Sequence, residues 1–172
     1  TETIANPSII VLDFEKIAAI AKKHGLLFSV DNTLATPVLC RPREWGANLI
    51  VHSSSKYLDG HAAALGGVII DAGNFDFKNN AHYPSFNLPD ESYHGLVYAD
   101  LPVAFGTKCR AQMIRDLGAI MSPQNAFISY IGCDTLALRM ERHSSNAKKV
   151  AQFLSTHPKT EWVLHPSLAD NK

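Results

Sequence analysis

Lys56 stands out among the ionisable residues because polar groups surround it at the ends of two apolar runs. It follows three serines at positions 53–55, which come directly after the apolar residues 49–51. Upstream, a second apolar run at residues 26–30 ends at Asp31. An amine and a carboxylate that each follow a buried strand can hold pyridoxal 5′-phosphate (PLP), because the amine bonds the aldehyde and the carboxylate keeps the ring nitrogen protonated.

The serines offer a place for the phosphate of that cofactor. Ser53 and Ser55 are two residues apart, so their side chains share a face in an extended segment, and each hydroxyl can donate to a phosphate oxygen. A polar surface turn around a solvated Lys56 is the simpler alternative. Its position at a strand end favours the PLP site, because open α/β sheets bind ligands at the carboxyl ends of their strands.

Metal binding and phosphoryl transfer fit these residues less well. Asp31 alone can hold Mg²⁺ or cap a turn, but no second acidic residue is placed to complete a metal site, and the sequence has no glycine-rich Walker loop. His24, His52 and His61 are scattered along the chain and are expected in packing or polar networks. The sequence therefore predicts no metal.

The apolar runs that lead to these residues predict an α/β fold with a mainly parallel sheet flanked by helices. Residues 26–30 and 49–52 are nearly continuous in apolar character, as in parallel strands covered on both faces. Residues 66–70 form a third strand that is entered through glycines. Asp13 is placed as the N-cap of a first helix that stops at Gly25, and the strand, crossover, strand pattern is typical of a parallel sheet.

The rest of the chain is expected to be a long aromatic loop followed by helices. Residues 71–102 have little periodicity, but their aromatic side chains favour an ordered loop packed against the protein. Helices are predicted at residues 108–117, after the N-cap and N1 pair Ser122-Pro123, and over residues 135–154; a strand is predicted at 161–165. The polar face of the last helix is expected to carry Arg139, Arg142 and His143.

Composition excludes several classes of function. With 172 residues, of which 46% are hydrophobic, the chain can bury a sizeable core. A formal net charge of zero argues against nucleic acid or an anionic membrane surface as the main partner. Three widely spaced cysteines indicate a reducing, cytoplasmic compartment rather than a disulfide framework or a zinc site.

Because the chain starts at Thr1 and places a strand near its end, we expect truncation at both ends.

Several motifs resemble the Cys/Met-metabolism family of fold-type I PLP-dependent enzymes. They are Glu2-Thr3-Ile4-Ala5-Asn6-Pro7, Val30-Asp31-Asn32-Thr33, residues 46–61, Arg115-Asp116-Leu117-Gly118 and residues 135–143. The resemblance covers nearly the whole chain and implies the central part of an aspartate aminotransferase-like enzyme. Residues 1–133 would be the C-terminal part of the PLP-binding large domain, with an insert loop at about 71–102. Residues 134–172 would be the long helix and the start of the small domain.

The resemblance also implies a role for each polar residue at the strand ends. Lys56 would be the catalytic residue that carries the cofactor as a Schiff base, and Asp31 would pair with the pyridinium nitrogen. Ser53 and Ser55 would contact the cofactor phosphate. Ser55 stands where threonine is commoner in the family, but the hydroxyl that the role needs is retained.

Other parts of the family's site would lie near or beyond the ends of the chain. Asn6 would hydrogen-bond the 3′-oxygen of the ring, with Glu2 close by. The glycine-rich phosphate loop, the tyrosine stacked on the ring, and a tyrosine and an arginine that reach across from a neighbouring subunit would precede Thr1. The arginine that binds the substrate carboxylate would follow Lys172.

Three segments are similar to the O-acetylhomoserine sulfhydrylase branch of the family, namely residues 36–42, residues 71–76 and the long insert that ends at residues 89–98. This likeness implies a homo-oligomeric enzyme of methionine biosynthesis that converts O-acetylhomoserine and sulfide (or methanethiol) into homocysteine (or methionine) and acetate. A cystathionine γ-synthase or methionine γ-lyase of the same family is one alternative. An inactive fragment with a structural or interaction role is the other.

Overall fold

The computed structural model describes residues 1–168 as an α/β fold built on a three-stranded sheet in the order β1-β2-β3. The strands are β1 Ser29–Asp31, β2 Leu49–Ser53 and β3 Gly67–Asp71. The α-helices are α1 Phe14–Lys23, α2 Thr36–Leu39, α3 Pro84–Asn87, α4 Ala104–Lys108, α5 Arg115–Leu117, α6 Pro123–Cys133 and α7 Leu136–Ser155. Single 3₁₀ turns cover Pro42–Trp45, Glu91–Tyr93 and Tyr98–Asp100, and π-helical segments cover Ser54–Leu58 and Cys109–Ile114.

The sheet is mixed because β3 runs opposite to β2. Strands β1 and β2 are parallel and pair Asp31 with Val51, as predicted. Strands β2 and β3 are antiparallel, with Ser53 opposite Gly67, so the parallel alignment expected for the third strand is wrong. The intervening residues 54–66 contain only the short π-helical turn, whereas a parallel return requires a crossover that spans the sheet.

Helix α1 packs on β1 and β2 through its apolar face. Asp13 caps the helix by accepting a hydrogen bond from the Lys16 amide at 3.1 Å, and Gly25 follows the helix with a φ of 65°, as predicted. Phe14 packs edge-on against Phe28, with 5.7 Å between the ring centroids. The same buried cluster contains Val30, Ala47 and Ile50. This packing fixes the two strands whose ends carry the candidate site.

The aromatic insert has a hydrophobic core of its own. Phe77 and Phe86 stack with their ring centroids 4.0 Å apart, and Tyr98 in the same cluster is completely buried. Ala104 and Ala111 belong to the same cluster. The helical region predicted at residues 108–117 begins earlier, with α4 at Ala104. The expectation of an ordered, packed loop is confirmed, because the buried aromatic surface offsets the entropy of fixing a long loop.

A hydrogen-bonded carboxylate closes this insert and should make its folding sensitive to acid. The Tyr98 hydroxyl donates to Asp90 Oδ2 at 2.6 Å, and the hydroxyl and amide of Ser92 both donate to Oδ1. These bonds lower the pKa of Asp90 to about 2 from its ordinary value of 3.8, and the bond from Tyr98 has the largest effect. Burial, followed by the bond to Asp90, raises the pKa of Tyr98 to about 12, so the phenol remains a donor at neutral pH.

We expect the insert to lose stability as the pH falls from about 4 towards 2. The folded-state pKa of Asp90 lies below its unfolded value, so its contribution is complete above that window and disappears when the carboxylate is protonated. Near-ultraviolet circular dichroism of the aromatic cluster measures the transition. Tyr98→Phe keeps the ring but removes the largest cause of the shift, and its acid midpoint should lie higher. Equal midpoints for the two proteins would contradict this assignment.

Helices α6 and α7 are the last two helices of the described residues and pack beside the lysine turn. Ser122 caps α6 by accepting from the Asn125 amide at 3.2 Å, as predicted. The strand predicted at residues 161–165 is wrong, because within residues 1–168 no strand lies beside this segment to complete a ladder. Residues 169–172, the last part of the predicted small-domain span, lie outside the described residues.

Three further observations concern residues 1–168 as a whole. None of their helices combines the length and the apolar character needed to cross a membrane. Nowhere in this described range do three His, Cys, Asp or Glu side chains group as metal ligands would. The three cysteines are free thiols.

Candidate functional site

The carboxyl ends of β1 and β2 lie side by side and are connected by two hydrogen bonds through Thr33. Asp31 Oδ1 accepts from the Thr33 amide at 2.9 Å, and Thr33 Oγ1 accepts from the Ser53 amide at 2.8 Å. The parallel pairing of Asp31 with Val51 places the two strand ends at the same edge of the sheet. The carboxylate and the serine run, which are separate in sequence, are thus parts of one local structure.

The serine and lysine residues occupy the turn that leaves β2. The Ser53 and Ser55 hydroxyls lie 2.7 Å apart, so the two side chains share a face, as predicted. The Lys56 side chain is exposed, and within residues 1–168 no acidic side chain forms a salt bridge with it. Ser54 points the other way: it is buried, and within the same residues its Oγ has no hydrogen-bond partner.

A buried carboxylate that sequence reasoning missed supports this turn from inside. Asp59 is completely buried, and its Oδ2 accepts from the Ala63 amide at 2.7 Å and from the Ala64 amide at 3.4 Å. These bonds fold the segment after Lys56 back towards β3, where the Gly66 carbonyl accepts from the Ser54 amide at 3.0 Å. The sequence signal that could have revealed Asp59 is the Asp-Gly turn that follows the lysine.

Helix α7 also supports the turn, through residues predicted on its polar face. Arg139 is half-buried, and its Nη1 donates to the Tyr57 carbonyl at 2.7 Å. His143, one turn further along, is exposed and packs against the Tyr57 ring with 5.2 Å between centroids. Arg142 is exposed, as predicted. The structure therefore connects the lysine turn to the last long helix.

The amino-terminal segment runs beside β1 and brings Glu2 next to Asp31. The Thr3 amide donates to the Asp31 carbonyl at 2.9 Å, and the Asp31 amide donates to the Thr1 carbonyl at 2.8 Å. The Asn6 amide in turn donates to Glu2 Oε2 at 2.7 Å, and the Asn6 side chain is exposed. Glu2 thus adjoins the backbone of Asp31, and Asn6 is held to Glu2.

His52 lies in β2, beneath the strand ends, and is buried. Burial lowers the pKa of its imidazole, and the nearby Asp31 carboxylate partly opposes that shift. At neutral pH the ring is therefore uncharged. In the described part of the chain its Nδ1 has no hydrogen-bond partner, and the buried ring has the packing role, one of the two roles expected for it.

An open cleft of about 680 Å³ lies at this edge of the sheet. Asp31 and Ser53 line it together with Gly66, Met121 and Asn125, and its size is within the range of small-molecule sites. Of the residues singled out from sequence, the cleft brings together Asp31, His52 and Ser53. Its described lining does not include Lys56, Ser55, Asn6 or Glu2.

The polar groups at the strand ends fit PLP. An unpaired amine can bond an aldehyde, a half-buried carboxylate can accept from a protonated ring nitrogen, and two adjacent hydroxyls can donate to a phosphate. All of them belong to the ends of β1 and β2 or to the turn that follows. The arrangement can therefore hold a cofactor of this kind.

Comparisons with known proteins agree with this chemistry. The model of the Cys/Met metabolism PLP-dependent enzyme family matches residues 1–172. The chain is 44% identical to an O-acetyl-L-homoserine sulfhydrylase of Leptospira meyeri over 99% of its length, and 46% identical to a homocysteine/cysteine synthase of Kluyveromyces lactis over 97%. A crystal structure from Campylobacter jejuni, described as an O-acetylhomoserine (thiol)-lyase, superposes on 99% of the chain with a TM-score of 0.92 and 47% identity. That structure contains N′-pyridoxyl-lysine-5′-monophosphate.

The chain is shorter than all three of these proteins. It spans 41% of the Leptospira protein, 38% of the Kluyveromyces protein and 42% of the Campylobacter chain.

Proposed function

The chain belongs to the Cys/Met metabolism family of PLP-dependent enzymes, and we propose that the protein of which it is part converts O-acetylhomoserine and sulfide into homocysteine and acetate. The observation that carries the proposal is the grouping of an exposed amine, a half-buried carboxylate and two hydroxyls at the ends of the parallel strands β1 and β2 and in the turn that follows. The names of the relatives supply the substrate class.

Each strand-end residue has a proposed task. Lys56 bonds the cofactor aldehyde through its amine, and Asp31 accepts a hydrogen bond from the protonated ring nitrogen. Ser53 and Ser55 donate to the phosphate, and the 2.7 Å distance between their hydroxyl oxygens supports a shared role.

Two residues of the amino-terminal segment complete the proposed set. Asn6 donates to the 3′-oxygen of the ring, and Glu2 holds the Asn6 backbone amide at 2.7 Å while it lies beside Asp31. The segment can therefore transmit the position of β1 to the ring oxygen.

When bound, PLP supplies an electron-accepting ring that stabilises negative charge on the substrate carbons. Once Lys56 has released the aldehyde to the substrate amine, its own amine can take protons from the α- and β-carbons as a general base. Asp31 keeps the proton on the ring nitrogen throughout. The C–O bond at the γ-carbon breaks and acetate leaves, HS⁻ adds at the γ-carbon, and Lys56 returns the protons to the β- and α-carbons.

The architecture of the whole protein is part of the same proposal. Residues 1–133 form part of the cofactor-binding large domain, and residues 134–172 form the linking helix and the start of a smaller domain. The protein works as a homo-oligomer in the cytoplasm. Its free cysteines support a reducing location.

Product analysis with different thiols tests the proposed reaction. Full-length protein loaded with PLP is incubated with O-acetylhomoserine and either sulfide, methanethiol or cysteine. We expect homocysteine formation with sulfide to be at least about ten-fold faster than cystathionine formation with cysteine, a barrier difference of about 1.4 kcal/mol. A preference for cysteine would identify a cystathionine γ-synthase instead, and release of methanethiol from methionine would identify a methionine γ-lyase. Absence of all three reactions would favour an inactive protein.

A further inference from the structure

The turn that carries Lys56 is not held by its own backbone alone. Residues Ser54–Leu58 form a π-helical turn, but Lys56 departs from helical dihedral angles, with φ −101° and ψ −120°. An interrupted helical turn leaves backbone carbonyls whose partners must come from elsewhere in the protein. The Tyr57 carbonyl, next to the lysine, is one of them, and it accepts from Arg139.

Arg139 joins the lysine turn to the junction between α6 and α7. Besides the Tyr57 carbonyl, its guanidinium donates through Nη2 to the Gly132 carbonyl at 2.6 Å and through Nε to Thr135 Oγ1 at 3.0 Å. The guanidinium is planar and rigid, so donors on its different nitrogens fix the relative position of the groups they bind. Within residues 1–168 no carboxylate forms a salt bridge with Arg139.

Two glycines make room for this contact. A Cβ on Gly60, whose φ is 76°, would lie 2.6 Å from Arg139 Cζ, and a Cβ on Gly132 would overlap the Asp59 carbonyl oxygen. Gly60 therefore provides both the left-handed turn and the space for the guanidinium. Helix α6 can approach the backbone of the turn directly because Gly132 lacks a side chain. The lysine turn and helix α6 can therefore lie in close contact.

We infer that Arg139 is a positioning residue for Lys56. Arg139 determines where the lysine amine lies relative to the cofactor aldehyde. The inference rests on the proposed function, because it assumes that Lys56 bonds PLP. Arg139 acts through the Tyr57 carbonyl, one residue from the lysine, and touches neither substrate nor cofactor. Its removal frees the turn, while Asp31 and Ser53 keep their own contacts at the strand ends.

The test separates attachment of PLP to Lys56 from binding of PLP to the protein. Full-length Arg139→Met protein is loaded with PLP and reduced with borohydride, and the cofactor fixed on the Lys56 peptide is measured by mass spectrometry beside total bound PLP. We expect the fixed fraction to fall about ten-fold, the size expected for losing a charge-assisted hydrogen bond that holds the turn. Total bound PLP should change much less. The pH midpoint of the visible absorbance band should also move.

Two variants sharpen the result. Arg139→Lys keeps the charge but cannot span both carbonyls, so its fixed fraction should lie between those of wild type and Arg139→Met. Arg142→Met, on the exposed face of the same helix, should match wild type. If Arg139→Met fails to fold, the comparison of Arg139→Lys with wild type carries the test.

The outcomes are distinct for the inference and for the proposed function. A lower thermal midpoint in the Arg139 variants, with the fixed fraction and the pH midpoint of the band unchanged, would reduce Arg139 to a structural contact and overturn the inference. Absence of PLP on Lys56 in the wild-type protein would overturn the proposed function and the inference together.

Discussion

Lys56→Ala is expected to abolish the visible absorbance band of lysine-bound PLP and to reduce turnover of O-acetylhomoserine by about 10²–10⁴-fold, the range attributed to a positioned general base alone. Other groups at the strand ends can retain PLP, but within residues 1–168 no second lysine lies in the turn between β2 and β3. Absorbance spectra and steady-state rates of the full-length protein measure the two effects.

Lys149→Ala provides the matched control, because Lys149 is an exposed lysine on α7. Its spectrum and rate should equal those of the wild type. Lys56→Arg keeps a positive charge in the turn but cannot bond the aldehyde, so it should behave like Lys56→Ala. A Lys56→Ala protein that kept the band and the rate would refute the assignment of the catalytic amine.

Asp31→Ala is expected to reduce turnover by about 10²–10³-fold, the scale seen when one preorganised charge-stabilising group is removed from an active site. Ser53→Ala should cost much less, about 2- to 12-fold, the equivalent of one neutral hydrogen bond. The ranking follows because Asp31 is proposed to hold a charged partner, whereas Ser55 remains beside Ser53 to bind the phosphate. Equal rates for the two variants would contradict it.

Asp31→Asn separates the charge of this residue from its structural contact. Asp31 Oδ1 also accepts from the Thr33 amide, and alanine would remove that bond and loosen the connection to Ser53. Asparagine can keep the bond to Thr33 while it loses the charge. We therefore expect Asp31→Asn to lose most of the activity that Asp31→Ala loses, with a smaller fall in thermal midpoint. Wild-type activity in Asp31→Asn would show that the charge has no role.

Local sequence patterns predicted the parts of the fold that depend on neighbouring residues. The caps at Asp13 and Ser122 and the strand β2 lie close to where the sequence places them. A cap depends on hydrogen bonds within one helical turn, and a buried strand depends on a continuous apolar run. The order of the insert also followed from its aromatic content, because such residues need a core.

The direction of β3 and the supports of the lysine turn could not be predicted in this way. The orientation of β3 depends on the path of residues 54–66, and a strand's residue pattern does not state which way it pairs. Arg139 was placed on the polar face of α7 because arginine is usually solvated. Its partner, the Tyr57 carbonyl, lies 82 residues away and offers no side-chain signal in the sequence.

The sequence by itself determined which groups carry the candidate chemistry: the amine of Lys56, the carboxylate of Asp31 and the hydroxyls beside the lysine. Only the tertiary structure decided how they are held. The hydrogen bonds that connect Asp31 to Ser53 through Thr33, those of the buried Asp59, and the bond from Arg139 of α7 to the Tyr57 carbonyl hold them. The physical reason is that reactive groups belong to residue types, which a sequence spells out. Their positions depend on backbone hydrogen bonds between distant segments, which form only when the chain packs.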